Sequence, residues 1–301
     1  MIVRVRVLGS AAGGGVPQWN CACAQCTRAR RQGAGAWRGQ DALAVAGSEG
    51  WFLVNVSPDV RAQVLATPEL APGPGRRQTP LRGVLLTDAE LDHTLGIAAL
   101  REGSALDVHA SPVVLRALTE GFPVRTLLAG YGGLRWHAVL PGQPIRLAAE
   151  LTATPIALGH KRPRYAAALP AGPEWVLAYR FHDTSTGGVL VYAPGLAEWS
   201  PAFDAAVAGA DWVILDGTFW RDEELAHSTG ERTAATARQM GHLPIGGEHG
   251  SLRRLAHHPS VRFCYTHLNN TNPVLDAAGP ERAQLTEAGA QLAEDGQLLT
   301  L

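Results

Sequence analysis

Four residues in one short stretch, Asp88, Glu90, Asp92 and His93, carry the greatest chemical capacity in this chain. They follow the apolar run 82–87. On an extended backbone alternate side chains share a side, so Asp88, Glu90 and Asp92 would face one another. Three facing carboxylates repel unless a positive charge lies between them. A divalent cation supplies it, and carboxylate with imidazole suits iron, manganese or zinc. The bland alternative is a solvated acidic turn in which Asp92 caps the following helix. His160, Asp216 and His267 lie at or just past the ends of apolar segments, where separate strands can converge on one cleft. His242 and His249 sit in a glycine-rich segment that either shapes a pocket or joins two elements. His182 with Asp183, and His257 with His258, read as turn residues.

A second cluster is made of sulfur. Three of the four cysteines, Cys21, Cys23 and Cys26, fall within residues 20–27. Clustered thiols in a chain of this length point to a metal rather than a disulfide framework, and soft thiolate ligands favour structural zinc. A fourth ligand is needed. Cys264 lies inside an apolar strand, as expected of an ordinary buried cysteine, so a histidine from elsewhere is the expected partner.

Strands are expected at 1–7, 42–46, 51–56, 82–87, 106–111, 134–137, 145–147, 151–157, 175–181, 188–192, 211–215 and 261–265. Helices are expected at 59–66, 94–101, 112–121, 203–208, 233–240, 251–256 and 281–291. Strands in two series, each mixed with helices, suit an α/β arrangement of two sheets packed face to face with helices outside. The Pro/Gly-rich stretch 71–80 is a loop, and a single domain over 1–301 is expected.

Composition narrows the partners. The chain has 301 residues, 46% of them hydrophobic, and 26 basic against 27 acidic residues leave a net charge of -1. That balance offers nothing for nucleic acid. No stretch approaches the roughly twenty apolar residues of a membrane span. With no secretion-type segment ahead of the first strand, the cytoplasm is the expected location, and a homodimer is the commonest soluble assembly.

Residues 87–93 (TDAELDH) resemble the signature of the metallo-β-lactamase superfamily, in which threonine or serine precedes His-x-His-x-Asp-His. Asp92 and His93 match it, whereas Asp88 and Glu90 stand at histidine positions. His160 resembles the next family histidine and His267 the last. The bridging aspartate expected after residues 188–192 is absent, the chain continuing Ala193-Pro194-Gly195. The resemblance implies an αββα four-layer sandwich around a metal. The missing imidazoles and bridge disfavour a dizinc hydrolase. They leave one metal on Asp92, His93 and His267, with Glu90, Asp88 or His160 as further candidates.

Residues 8–21 (LGSAAGGGVPQWNC), 215–220 (LDGTFW), 240–242 (MGH) and 267–273 (HLNNTNP) are similar to a branch of that superfamily serving pyrroloquinoline quinone (PQQ) biosynthesis. This implies a hydroxylase that uses Fe(II) and dioxygen on the tyrosine ring of a cross-linked Glu-Tyr precursor, alongside other proteins of that pathway. Zinc or manganese is an alternative metal in the isolated protein, and the cysteine cluster of the branch holds zinc. Asp216 would then orient a ligand or the substrate, and His160 or His242 would move a proton. A carrier or transport factor for PQQ or its precursor and a metal-dependent hydrolase are the competing expectations.

Overall fold

A computed structural model describes residues 3–102, 105–230 and 233–301. Met1 and Ile2, read above as the start of the first strand, lie outside them. The first sheet is built from β1 (Arg4–Gly9), β2 (Ala42–Gly47), β3 (Gly50–Val54), β4 (Leu81–Leu85), β5 (Leu106–Ala110) and β6 (Leu134–Ala138). The second contains β7 (Ile145–Arg146), β8 (Leu151–Gly159), β9 (Val176–Asp183), β10 (Val189–Ala193), β11 (Trp212–Asp216), β12 (Arg262–Thr266) and β13 (Gln291–Leu292). β14 (Leu298–Thr300) returns to the first sheet and pairs antiparallel with β1. The strand orders are β14-β1-β2-β3-β4-β5-β6 and β13-β12-β11-β10-β9-β8-β7.

Period-two alternation sorts the side chains into three apolar layers. Val5, Val7, Leu43, Val45 and Phe52 of the first sheet meet Tyr179, Phe181, Leu190, Tyr192 and Ile214 of the second in a core between the sheets. The opposite faces pack outward: Ala44, Leu53 and Val84 against Ile97, Val114 and Leu118, and Val191, Val213 and Phe263 against Phe203, Leu255 and Leu285. Strands covered on both faces need continuous apolar sequence, which is why β2 and β11 are buried at every position. The result is the expected αββα four-layer sandwich. Among the described residues no helix is long and apolar enough to cross a membrane.

Some local expectations change. Residues 233–240 form turns instead of a helix. The Ala237 and Arg238 amides donate to the carbonyl and carboxylate of Asp222, and the Gln239 amide to the Thr236 hydroxyl. These bonds compete with a helical ladder. The closing helix is Pro280–Glu287 and stops before the left-handed Gly289, after which β13 begins. An unforeseen helix, Ala24–Gln32, starts inside the cysteine cluster, with Cys23 as its N-cap.

β3 to β6 run parallel to one another, as do β10 to β12. The carboxyl ends of β4, β11 and β12 lead into the loops carrying Asp88, Gly217 and His267. Two bonds tie the sheets together at this end: Leu177 N–H donates to Thr87 O, and the Tyr179 hydroxyl donates to Leu86 O.

Candidate metal centre

Beyond β4 the backbone is extended only as far as Glu90, which precedes the short helix Leu91–Thr94. The helical turn breaks the alternation that would have aligned three carboxylates, and each goes a different way. Asp88 turns inward: Oδ2 accepts from His93 Nδ1 at 2.7 Å and from the Thr87 hydroxyl at 2.8 Å, while Oδ1 accepts the Glu90 amide at 2.8 Å. Both its oxygens are thus engaged, and one of them fixes the His93 ring. Glu90 stands at the rim, 3.4 Å from Lys161 Nζ. Asp92 alone of the three faces His93 and His267.

The ligand atoms of Asp92, His93 and His267 converge within 4.8 Å of one another. Asp92 Oδ2 is 3.4 Å from His267 Nε2 and 4.0 Å from His93 Nε2, and the two imidazole rings meet edge to face at 5.1 Å. His93 Nε2 is buried and has no hydrogen-bond partner among the described residues. A buried nitrogen left unpartnered costs free energy unless something else satisfies it, and a cation facing its lone pair does so. Burial disfavours the His93 imidazolium, but Asp88 and Asp92 outweigh burial and push its pKa up to about 10. Burial likewise opposes ionisation of Asp92, yet the facing His93 and His267 hold its carboxyl far below the usual range. The pocket therefore favours positive charge at its centre, and its donor set fits a divalent metal.

The second sheet fixes the other wall. At the end of β11, buried Asp216 accepts from Leu196 N–H at 2.8 Å and His242 Nδ1 at 2.6 Å through Oδ2, and from the Thr218 amide and hydroxyl through Oδ1. The Thr218 hydroxyl lies 2.8 Å from His267 Nδ1. Since that hydroxyl gives its proton to Asp216, its oxygen accepts from His267 and leaves His267 Nε2 aimed at Asp92. Burial lowers the His242 pKa against the opposing pull of Asp216. Burial would raise Asp216, but His242 and its other donors lower it. Nδ1 of His242 is thus engaged by the Asp216 carboxylate, and Nε2 is the ring nitrogen left for other contacts. Asp216, His242 and His267 form a second convergent group sharing His267.

Beneath both lies Asp41, fully buried, which accepts hydrogen bonds from the Tyr192 and Thr266 hydroxyls. His267 has a left-handed backbone (φ 54), held by the Leu268 amide on Ser10 O and the Gly217 amide on Thr266 O. Asp92, His93 and His267 open onto a cavity of about 440 Å³ with apolar walls from Leu91, Leu95, Phe219 and Met240. Gly13 reaches this cavity because a Cβ there would stand 3.1 Å from Asp92 Oδ2.

His160, expected to join the site, is exposed and lines a neighbouring groove. Proline and charged residues follow it, and the chain leaves β8 before reaching Asp92, His93 and His267. His249, His257 and His182 are also outside the cavity. Thr218 and Asp41 were not anticipated. Thr218 could have been suspected from its place two residues after a strand-ending aspartate, whereas no local pattern marks Asp41.

The cysteines make a separate site. Cys21, Cys23 and Cys26 sulfurs converge around the side-chain amide of Asn270, whose nitrogen lies 3.1, 3.7 and 3.3 Å from them. The expected histidine is therefore not the group that faces all three sulfurs. Burial pushes the Cys23 thiol up to about 11. In Cys21 the accepted hydrogen bonds outweigh burial and lower it. Cys264 packs between the sheets, where burial raises its thiol to about 12.

Residues 50–268 match the β-lactamase superfamily domain. Coenzyme PQQ synthesis protein B of Klebsiella pneumoniae subsp. pneumoniae is 41% identical, the match covering 99% of this chain and 98% of that protein. The protein of the same name from Pseudomonas paraeruginosa is 40% identical over 99% and 100%. The crystal structure of Zn(2+)-bound PqqB from Methylobacterium extorquens superposes with a TM-score of 0.89 at 32% identity, covering 99% of this chain and all of that one. A diphosphatase of the PhnP family shares the fold, with a TM-score of 0.69 at 20% identity over 100% and 98% of the two chains.

Proposed function

This chain belongs to the coenzyme PQQ synthesis protein B family within the β-lactamase superfamily, and from that premise we propose that it hydroxylates the tyrosine ring of the cross-linked Glu-Tyr precursor of PQQ. The observation that carries this reading is the unpartnered, buried Nε2 of His93 beside Asp92 and His267. Two imidazoles and one carboxylate leave coordination positions open, an arrangement suited to ferrous iron. When bound, iron supplies the activation of dioxygen that a ring hydroxylation requires. One oxygen atom replaces a ring hydrogen as hydroxyl and the other leaves as water, with two protons and two electrons from an external reductant.

The chain's own residues have distinct tasks. Asp92, His93 and His267 hold the metal, and Asp88 and Thr218 fix the two imidazoles with Nε2 inward. Leu91, Leu95, Phe219 and Met240 offer an apolar slot for a ring. His242, oriented by Asp216, takes the proton of a phenol at Nε2. Cys21, Cys23 and Cys26 hold structural zinc. Asn270 is its fourth ligand through Oδ1, since half a turn of the amide places oxygen where Nδ2 stands. The protein acts as one domain in the cytoplasm.

The test is anaerobic loading with Fe(II), addition of the Glu-Tyr substrate and a reductant, and exposure to isotopically labelled dioxygen. Mass analysis should find labelled oxygen in the tyrosine-derived ring. A folded, iron-loaded wild type that adds none rejects the hydroxylase. Tight binding of PQQ without turnover would indicate a carrier, and zinc-dependent anaerobic cleavage a hydrolase.

A further inference from the structure

Beside the metal cavity lies a second groove of about 800 Å³, and the two share Lys161 and Gly241 as lining residues. Gly241 has a left-handed backbone (φ 82), and a Cβ there would stand 2.7 Å from Lys161 Cδ. The lysine stem therefore lies against bare glycine backbone, at the boundary between the two spaces. This is the only lysine of the chain.

The groove is strongly one-signed. His160, Lys161, Arg162, Arg164 and Arg238 line it against a single acid, Glu198. In a chain of net charge -1, that excess is local. The Arg162 guanidinium is anchored on Leu169 O and that of Arg238 on His249 O. Lys161 pairs with Glu90 at 3.4 Å, each side chain 31% exposed. Arg164 and His160 are exposed and make no ion pair among the described residues. Neutral carbonyl partners position the arginines without cancelling their charge.

The metal cavity offers apolar walls from Leu91, Leu95, Phe219 and Met240 instead, with Glu90 at its rim. A molecule entering both spaces meets clustered basic side chains in the groove and a surface for a ring in the cavity. We propose that the groove binds the carboxylate arm of the substrate while its aromatic ring occupies the metal cavity. Lys161 exchanges Glu90 for a substrate carboxylate, and Arg164 contacts the same anionic arm from the outer part of the groove. The substrate class is thus an aromatic ring bearing carboxylates on a flexible arm. This assignment rests on the proposed function for what enters the metal cavity and adds how that molecule is oriented.

The experiment is calorimetric binding of the cross-linked Glu-Tyr dipeptide to the full chain loaded with redox-inert zinc, without oxygen. Lys161→Ala and Arg164→Ala should each weaken binding roughly three- to tenfold. Lys161→Arg should retain most of the affinity, and Arg61→Ala, at an exposed residue that lines neither space, should match wild type. Affinity of the wild type should fall with added salt, since exposed charges are screened, and the double variant should lose most of that dependence. A dipeptide with its carboxylates converted to amides should bind wild type and double variant alike. Equal affinity of the double variant and wild type for the acid form, or of wild type for acid and amide forms, overturns the proposal; so does a wild type that does not bind the dipeptide. Oxygen addition is not read here, so the two readings fail separately. A dipeptide held by Lys161 and Arg164 but never oxygenated removes only the hydroxylase. One oxygenated with affinity indifferent to both residues removes only the groove.

Discussion

The metal cavity and the cysteine cluster hang on one loop, with His267 committed to the first and Asn270, three residues later, to the second. They are built in opposite ways. The cavity draws its donors from the ends of β4 and β12, one strand from each sheet, and backs the imidazoles with a buried carboxylate on one side and a hydroxyl on the other. The cluster takes three sulfurs from six consecutive positions and one amide from across the chain, and is half exposed. Two donors beside an orphaned nitrogen leave room for chemistry, whereas four around one point, as proposed for the cluster, close a structural site. Long-range support pre-organises an open site; a closed site needs little more than its own ligands.

The largest effect that separates them should come from Asp92→Ala. It removes the carboxylate proposed to hold the metal, so elemental analysis should show loss of cavity iron and retention of cluster zinc, with hydroxylation abolished. Loss of both metals would show that the sites do not behave independently. Next, Asn270→Ala should release the cluster zinc faster to a chelator. It should lower the melting temperature by several degrees, while Cys264→Ala leaves zinc untouched. Unchanged zinc retention in Asn270→Ala would remove Asn270 from the ligand set.

Asp88→Asn tests the supporting layer. It keeps the shape but weakens the charge behind His93, and cavity metal affinity should fall about 10- to 100-fold, the usual effect of losing such a partner. An unchanged affinity would make Asp88 merely structural.

The smallest effect concerns buried Glu224. Its carboxylate accepts from the Trp220 amide and the Thr271 hydroxyl. Burial raises its pKa from the ordinary 4.5 to about 7 despite these donors. A carboxyl raised on folding contributes stability below its unfolded pKa, and that contribution is lost as pH rises through the folded value. Stability should therefore decline between pH 4.5 and about 7, and Glu224→Gln should flatten that slope in denaturant titrations. An identical slope in both proteins would contradict the assignment.

The sandwich was legible because β2, β4, β11 and β12 are buried on both faces and so read as apolar runs ending in polar residues. Asp92, His93 and His267 could be proposed because each follows such a run. Asp88 and Glu90 do not share a side with Asp92 because the turn into Leu91–Thr94 is local geometry that alternation ignores. His160 shared the strand-end signal but lies after β8 on an exposed segment. Asn270 was hidden in plain view among Asn269 and Asn272, because only tertiary structure brings a loop 244 residues away in sequence onto Cys26. Asp41 became visible only through the Tyr192 and Thr266 hydroxyls that meet on it.

The most direct test is anomalous diffraction from crystals of protein loaded anaerobically with iron, with data at the iron and zinc edges. The expected result is one iron bound by Asp92, His93 Nε2 and His267 Nε2, with Asp88 outside the coordination sphere, and one zinc on Cys21, Cys23, Cys26 and Asn270. Iron on Asp216 and His242, or coordination that leaves His93 Nε2 unpartnered, would contradict it.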